Sequence, residues 1–526
     1  MCTEIRRGVI SVFLAAALSV LLVFTCVLLE AARAEGIRYT ANAAGDAAID
    51  SVFAGYDRML LDQYGLLFYD GGMGKGFLDF DAIESEFGRY FLANSGTVSV
   101  LSGGSMFPVL PVEAKVTSVV TATDYNGEIF IRSCLDYFKY DAAGALLDTI
   151  RDQLDLLGKG EAGKERNETE SKDLHRKDWG AELTEEAEEA GMSLIGWPEA
   201  QILFPEAELT DDGDPEEAPE PFDQERYDET IENSPIGGME TVEAEGFLNL
   251  VLPKDTVLSG LEITGEDLPS ACARDERKLE NAGSILSDLA EKAVFDEYLL
   301  SVFPCFTEGE NSGLQYGIEY LLYGKMNDAE NLKSTLNRIV WIREGMNLLY
   351  LVSSSGKMKA VQELASLMVD WSGIPGLSLV VAAALTAAWA YAEAILDVRT
   401  LLSGGKVPLV KDDSSWTLGL ESVTGFLDGS PQEAKDQARG LRYQDYLRLL
   451  LYLTDASDLS YRAMDLIQTD MQAQGRSFLM LSQIYAMEVR TTITAKQLFA
   501  GLPIVFHGTG RKDGRYFMIL HFASVY

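Results

Sequence analysis

The most prominent pattern along the chain is an unbroken apolar one. From Val9 to Leu29 there are 21 residues without a charge, VISVFLAAALSVLLVFTCVLL. As a helix rising ~1.5 Å per residue, this run spans roughly 30 Å, the hydrocarbon thickness of a bilayer. Beyond Leu29 the pattern turns periodic. Ile37, Ala41, Ala44, Ala48, Val52, Tyr56 and Met59 recur every three or four residues, while Arg38, Asp46, Asp50 and Asp57 fall mostly on other faces. That spacing marks one face of a helix, and no proline interrupts it. It predicts one helix from about Val9 to about Leu66, roughly 85 Å long at ~1.5 Å per residue, with residues 30–66 forming a stalk. The small-residue stripe needs a partner: the protein's own outer domain, or the same helix of a neighbouring subunit.

Further along, Phe77–Leu92 reads as a short amphipathic helix and Val109–Thr123 alternates as a strand. Asn126-Gly127 turns into a helical segment, Phe130–Leu157. After Gly246 helical spacing dominates, over Ala282–Phe303, Ala329–Ser353, Met358–Val369, Leu377–Leu402, Gln432–Leu453 and Leu459–Gln474. From Ile484 the chain ends in strand-like runs, Ile504–His507 and Tyr516–Tyr526, with Gly508–Gly514 as the hairpin loop. A second apolar stretch, Leu377–Ala392, has 16 residues bounded by Glu393 and Asp397. It is short for a span and reads as a buried core helix. The expected fold is therefore mainly α with minor β (α+β): a transmembrane helix, a helical stalk, and a mostly helical domain with a few strands. The expected divisions are 1–8 tail, 9–29 span, 30–66 stalk, 67–157 first part of the outer domain, 158–245 linker and 246–526 helical domain with a C-terminal hairpin.

Charge sharpens this division. Residues 159–245 hold 28 acidic and 7 basic side chains, more than half of the net −39 of the whole chain. With so few aliphatic residues this tract reads as a disordered acidic tether rather than a calcium site, since no D-x-D-x-D-G loop occurs. The overall balance excludes nucleic acid as a partner. Arg6 and Arg7, just before the apolar run, set a cytoplasmic N-terminus by the positive-inside tendency and send the bulk of the chain outward. Arg33 and Arg38 weigh against that orientation. Cleavage as a signal peptide after Ala32-Arg33-Ala34 is the competing reading, but the apolar run exceeds the ~7–15 residues of a normal signal core.

Chemistry is sparse. Five cysteines and three histidines show no metal-ligand spacing, and at most one disulfide is available to the exported part. Gly72–Gly76 lacks the ending of a phosphate loop, and no H-E-x-x-H, G-x-S-x-G or C-x-x-C occurs. Glu393, beside Trp389 and Tyr391, is the most unusual carboxylate, and the expectation is a structural ion pair with Arg399 or Lys406. No catalytic residue, metal or cofactor is expected.

The N-terminal features carry a resemblance. Arg6-Arg7-Gly8, the long apolar helix, Glu30 at its end, then Arg33, Arg38 and Asn42–Ala48 resemble the start of Tad-type pilus pseudopilins. The resemblance implies processing after Gly8 and helix packing through Glu30, Ala41, Ala44, Ala48 and Val52. The sequence departs from that pattern in having Phe13, not Glu, five residues after Gly8. Over most of its length the chain also resembles an uncharacterised family of envelope proteins from Gram-positive, clostridia-like bacteria. The motifs are Asp50–Ala54, Asp62–Leu66, Tyr320–Lys325, Trp389–Glu393 and Gly404–Leu409. Together these readings imply a non-enzymatic, membrane-anchored envelope protein. Its expected partners are the lipid bilayer and pilus or secretion-system subunits, or copies of itself through the N-terminal helix. The alternative is a membrane-tethered binding or sensing domain acting as a monomer at the cell wall.

Overall fold

The computed structural model describes residues 2–95, 107–141, 224–235, 247–427 and 440–526. Short stretches at 253–255, 264–266, 276, 278–288, 309–314, 373–375, 500–508 and 513 are excepted. Most of the expected acidic linker lies outside these residues, although Gln224–Glu232 within it is helical. The fold is mainly helical with one small antiparallel sheet.

The chain divides into two compact units, and the division does not follow sequence order. The first unit comprises Met1–Asp141, Gly265–Phe295 and Ala456–Tyr526; the second comprises Ala142–Thr264 and Asp296–Asp455. This grouping sets the C-terminal strands with the N-terminal residues.

In the first unit, helix α1 runs from Cys2 to Phe53. It stops short of the expected Leu66 because Asp57 caps a new helix, α2 (Arg58–Tyr64), accepting from the amides of Met59 at 3.0 Å and Leu60 at 3.3 Å. Such a cap contributes ~1 kcal/mol. Here the Asp57 carboxylate is also held by Arg476 at 2.8 Å. Gly65, at φ 69°, closes α2 in the left-handed region that glycine adopts without strain. Helix α3 covers Phe80–Asn94 and α4 covers Glu128–Asp141.

The sheet holds β1 (Tyr69–Asp70), β2 (Leu110–Thr121), β3 (Gln483–Lys496), β4 (Thr509–Lys512) and β5 (Arg515–Val525). Its order is β1-β3-β5-β4, with β2 also paired to β3, and every pairing is antiparallel. Thr509–Lys512 is a strand where a loop was expected, paired antiparallel with β5; Ile504–His507 lies outside the described residues. Strand β3 alternates Met487, Val489, Ile493 and Ala495 inward, against exposed Glu488, Arg490 and Lys496.

The core of this unit forms where α1 crosses the sheet. Ala34, Ile37, Ala41, Ala44, Ala48 and Val52 are buried together with Ile83, Phe87 and Phe91 of α3 and with Val489, Ile493, Met518 and Phe522. Small residues let the helix axis approach closely: a Cβ added at Gly45 would overlap the Phe522 ring. The stripe read in the sequence thus packs against the chain's own sheet.

The second unit is built around the Leu377–Leu402 helix, apolar on nearly all sides and buried over most of its length. Its flanking helices include Gly317–Tyr323, Asp328–Ser353, Ser355–Val369 and Tyr443–Leu453.

Candidate functional site at the foot of the N-terminal helix

The lower half of α1 and its upper half meet different surroundings. From Val12 to Leu29 the large apolar side chains other than half-buried Val27 are exposed, Phe13 at 73% and Val20 at 70%. The helix is long and apolar enough there to cross a membrane. One residue later the environment inverts, because Glu30 is 1% exposed. Its carboxylate accepts from the amide of Leu498 at 3.1 Å, the amide of Phe499 at 3.3 Å and the hydroxyl of Tyr516 at 2.9 Å. Arg33, one turn on, lies 3.6 Å from Glu30 and donates to the carbonyl of Lys496 at 2.6 Å. Glu30 therefore binds the ends of two strands to the helix. A buried carboxylate is tolerated only when its lone pairs are filled, and here donors from β5 and the residues after β3 fill them.

Of the two partners expected for the stripe, the chain's own fold is the one that covers it here: Ala34 is buried, and the fold begins in the first turn beyond the apolar run. Ala41, Ala44, Ala48 and Val52 all face this unit's core. Arg6, Arg7 and Gly8 lie in the first turns of α1, and their side chains are outside what the structure describes.

The second unit holds a different polar cluster. Glu393 does not pair with Arg399 or Lys406. It takes the Lys411 ammonium together with the amides of Thr417 at 2.9 Å and Leu418 at 2.8 Å. Lys411 also meets Asp397 at 2.6 Å, and Asp397 meets Arg343 at 3.0 Å. Asn347 donates to Asp397 at 3.1 Å, and Arg343 donates to the carbonyls of Pro408 and Leu409 at 2.9 Å each. Arg399 instead binds the carbonyl of Leu250. Two cations and two carboxylates thus neutralise one another away from water. Every one is hydrogen-bonded, as a buried network requires. Lys411 was absent from the sequence reading because the loop that returns it to the helix is a tertiary feature. Above the cluster, Trp389 and Trp416 pack edge to face with ring centres 5.4 Å apart, and the Lys357 ammonium lies 5.0 Å from the Trp416 ring.

A third polar group surrounds Glu319, which is fully buried. It accepts from the Tyr443 hydroxyl at 2.7 Å and the Phe306 amide at 3.1 Å, while its second oxygen has no hydrogen-bond partner. Burial pushes its carboxyl up to about 7. The Cys305 thiol, also buried, is pushed up to about 12 by the same desolvation and is inert as a nucleophile.

Among the described residues no group of three or more His, Cys, Asp or Glu is placed to hold a metal ion. Among the described residues Cys26, Cys134, Cys272 and Cys305 form no disulfide. A groove of about 590 Å³ in the second unit is lined by Arg226, Glu229, Asn233, Leu364 and Met368. Its charged rim is exposed, and the buried Ser234 in its wall donates to the carbonyl of Ile231 at 2.6 Å.

Comparison with known proteins adds a family. Residues 225–495, just over half of the chain, match a family of unknown function (DUF5702). No curated protein and no solved structure matches the sequence.

Proposed function

We propose, from the premise that this chain belongs to DUF5702, that it is a non-enzymatic, membrane-anchored protein of the cell envelope. In this reading the lower half of α1 lies in the bilayer, with its N-terminus cytoplasmic, and both units lie outside the cytoplasm. The observation that carries the reading is the junction at Glu30: a charge-free, solvent-exposed half-helix continues without a break into a half-helix buried in the fold. An exposed apolar surface of that length has a stable environment only in lipid or against other helices. The absence of an enzymatic role is argued from the polar clusters. The charges around Glu393 and Glu319 are enclosed, whereas a general acid or nucleophile must reach its substrate.

The finer proposal is a pseudopilin-like component or assembly factor of a Tad-like pilus or secretion system. Self-association would then run through the lower half of α1, because the upper stripe is already occupied by the chain's own core. Ala15, Ala16, Ala17 and Ser19 give that lower half the small residues on which membrane helices pack closely. Cys26, partly exposed on the same half, supplies a native reporter. Oxidative thiol cross-linking in native membranes should join two copies through Cys26, and a Cys26→Ala variant should lose the dimer. A chain that stays monomeric under these conditions favours the second reading, a tethered binding or sensing domain. Orientation is tested separately, by protease accessibility of a C-terminal tag on intact cells; a protected tag refutes the exported placement.

A further inference from the structure

Directly beside the Glu30 junction, the lower edge of the sheet carries a row of like charges. Lys496 of β3 stands opposite Arg515 of β5, and Arg515 stands opposite Lys512 of β4. Lys496 and Arg515 are both exposed, and their neighbours Ala495 and Tyr516 turn inward to the α1 core. Among the described residues neither side chain is in an ion pair, although the chain as a whole carries a net charge of −39. Like charges directly opposite across strands are destabilising, so such a row is maintained against its own repulsion.

The height of the row identifies what would neutralise it. Arg515 precedes Tyr516, whose hydroxyl binds Glu30, and the Lys496 carbonyl accepts from Arg33. Both basic residues therefore stand level with the first turn beyond Leu29, their side chains on the sheet face turned away from α1. The headgroup layer extends roughly 5–7 Å past the hydrocarbon core, and one helical turn covers ~5.4 Å of it. Leu498, 62% exposed, and Leu110, 46% exposed near the start of β2, add apolar side chains to the same end of the sheet. A basic row flanked by exposed leucines, placed at headgroup depth, has the chemistry of an anionic interfacial surface.

We infer that this end of the sheet docks on anionic phospholipid headgroups of the leaflet facing the domain, through Lys496 and Arg515, with Leu498 at the interface. The inference rests on the membrane-anchor reading and adds lipid selectivity to it. Docking would fix the sheet upright on the bilayer, since strands and helix run side by side from Glu30 to Phe53, where the Tyr526 hydroxyl meets the Phe53 carbonyl at 2.5 Å.

The test reconstitutes the full chain in nanodiscs of phosphatidylcholine alone or of an equal mixture with phosphatidylglycerol, and reads amide hydrogen exchange across β4 and β5. Exchange in the hairpin should slow about tenfold or more in the anionic discs, while the Leu377–Leu402 helix stays unchanged. The effect should shrink as salt shortens the screening length. Lys496→Gln with Arg515→Gln should abolish the difference, at roughly fivefold per charge removed, and leave the sheet folded. Equal exchange in both kinds of disc, with the chain incorporated in each, overturns the headgroup proposal and leaves the anchor standing. Equal slowing by inorganic phosphate in phosphatidylcholine discs assigns the row to free phosphate and overturns the lipid assignment. Failure to enter either disc overturns the anchor reading and the proposal together.

Discussion

Replacing Glu30 by alanine tests whether the junction binds helix to sheet. The substitution strips the acceptor from three donors: the Leu498 and Phe499 amides and the Tyr516 hydroxyl. These donors differ in their surroundings. Leu498 is exposed, so water replaces its bond and the net loss is small, whereas Tyr516 is buried and its hydroxyl loses a bond that water does not readily replace. A buried hydroxyl that loses a hydrogen bond costs ~1–3 kcal/mol, and two amides released to water cost ~0.5–1 kcal/mol each. Relief from burying a carboxylate offsets part of this, so the first unit should lose about 2–3 kcal/mol. Tyr516→Phe removes the hydroxyl itself and should cost only ~1 kcal/mol. The double variant should cost less than the sum of the two single changes. All six tryptophans lie in the residue ranges of the second unit, so fluorescence cannot report on the sheet. Hydrogen exchange of β3 and β5 amides in detergent-solubilised full chain is the proper assay, with tryptophan fluorescence as the internal control. A loss of about 2 kcal/mol speeds exchange of amides that open with the whole unit roughly thirtyfold. A change under about twofold in Glu30→Ala would mean the carboxylate is a bystander and the junction is held by apolar packing alone.

Three further expectations follow from the same structure. Ala48→Lys places a charge in the core between α1 and the sheet and should unfold the first unit, costing about 3 kcal/mol or more. Limited proteolysis would then cut β3 while α1 still inserts, and an intact sheet would refute the packing described. Asp397→Asn leaves Arg343 with no carboxylate and Lys411 with Glu393 alone, and should destabilise the second unit by ~3–5 kcal/mol, read as a fall in the urea midpoint by tryptophan fluorescence; an unchanged midpoint would show the network to be slack. Glu319 should impose a pH dependence. Its folded value is raised from 4.5 to about 7, so its protonation contributes stability that is fully present below pH 4.5 and lost as pH rises through about 7. The loss amounts to about 3 kcal/mol at most, and Glu319→Gln should flatten the profile across that interval; an unaltered slope assigns the dependence to another group.

The helices were legible because their signals are local. Leu377–Leu402 and Asp328–Ser353 show apolar spacing and bounding charges that no tertiary contact needed to supply. The stripe from Ile37 to Val52 was legible as a face, but its partner was not. That partner arrives from residues beyond 480, and a period of three to four says nothing about which surface will fill it. The end of α1 was misplaced because Tyr56 and Met59 continue the helical period, while the cap at Asp57 is a competition between side-chain and backbone acceptors that periodicity does not register. Strand β3 did carry a signal, the alternation Met487, Val489, Thr491, Ile493, but Thr and Arg among the intervening positions weakened it. Glu393 was identifiable as an unusual carboxylate beside two aromatics. Its cation, Lys411, was not, since a loop conformation rather than helical spacing brings the two together.

The joining of the first and last parts of the chain in one sheet has a consequence for synthesis. Glu30 and its partner Tyr516 are separated by 486 residues. At ~5–20 residues per second a ribosome needs roughly half a minute to a minute and a half to travel between them. Throughout that interval α1 is already made while its buried stripe, Ala34 to Val52, has no sheet to cover it. A newly made copy therefore passes through a long-lived, sticky intermediate at the membrane surface. During that time a neighbouring nascent chain or a chaperone competes with the molecule's own carboxy-terminal strands for the same alanines.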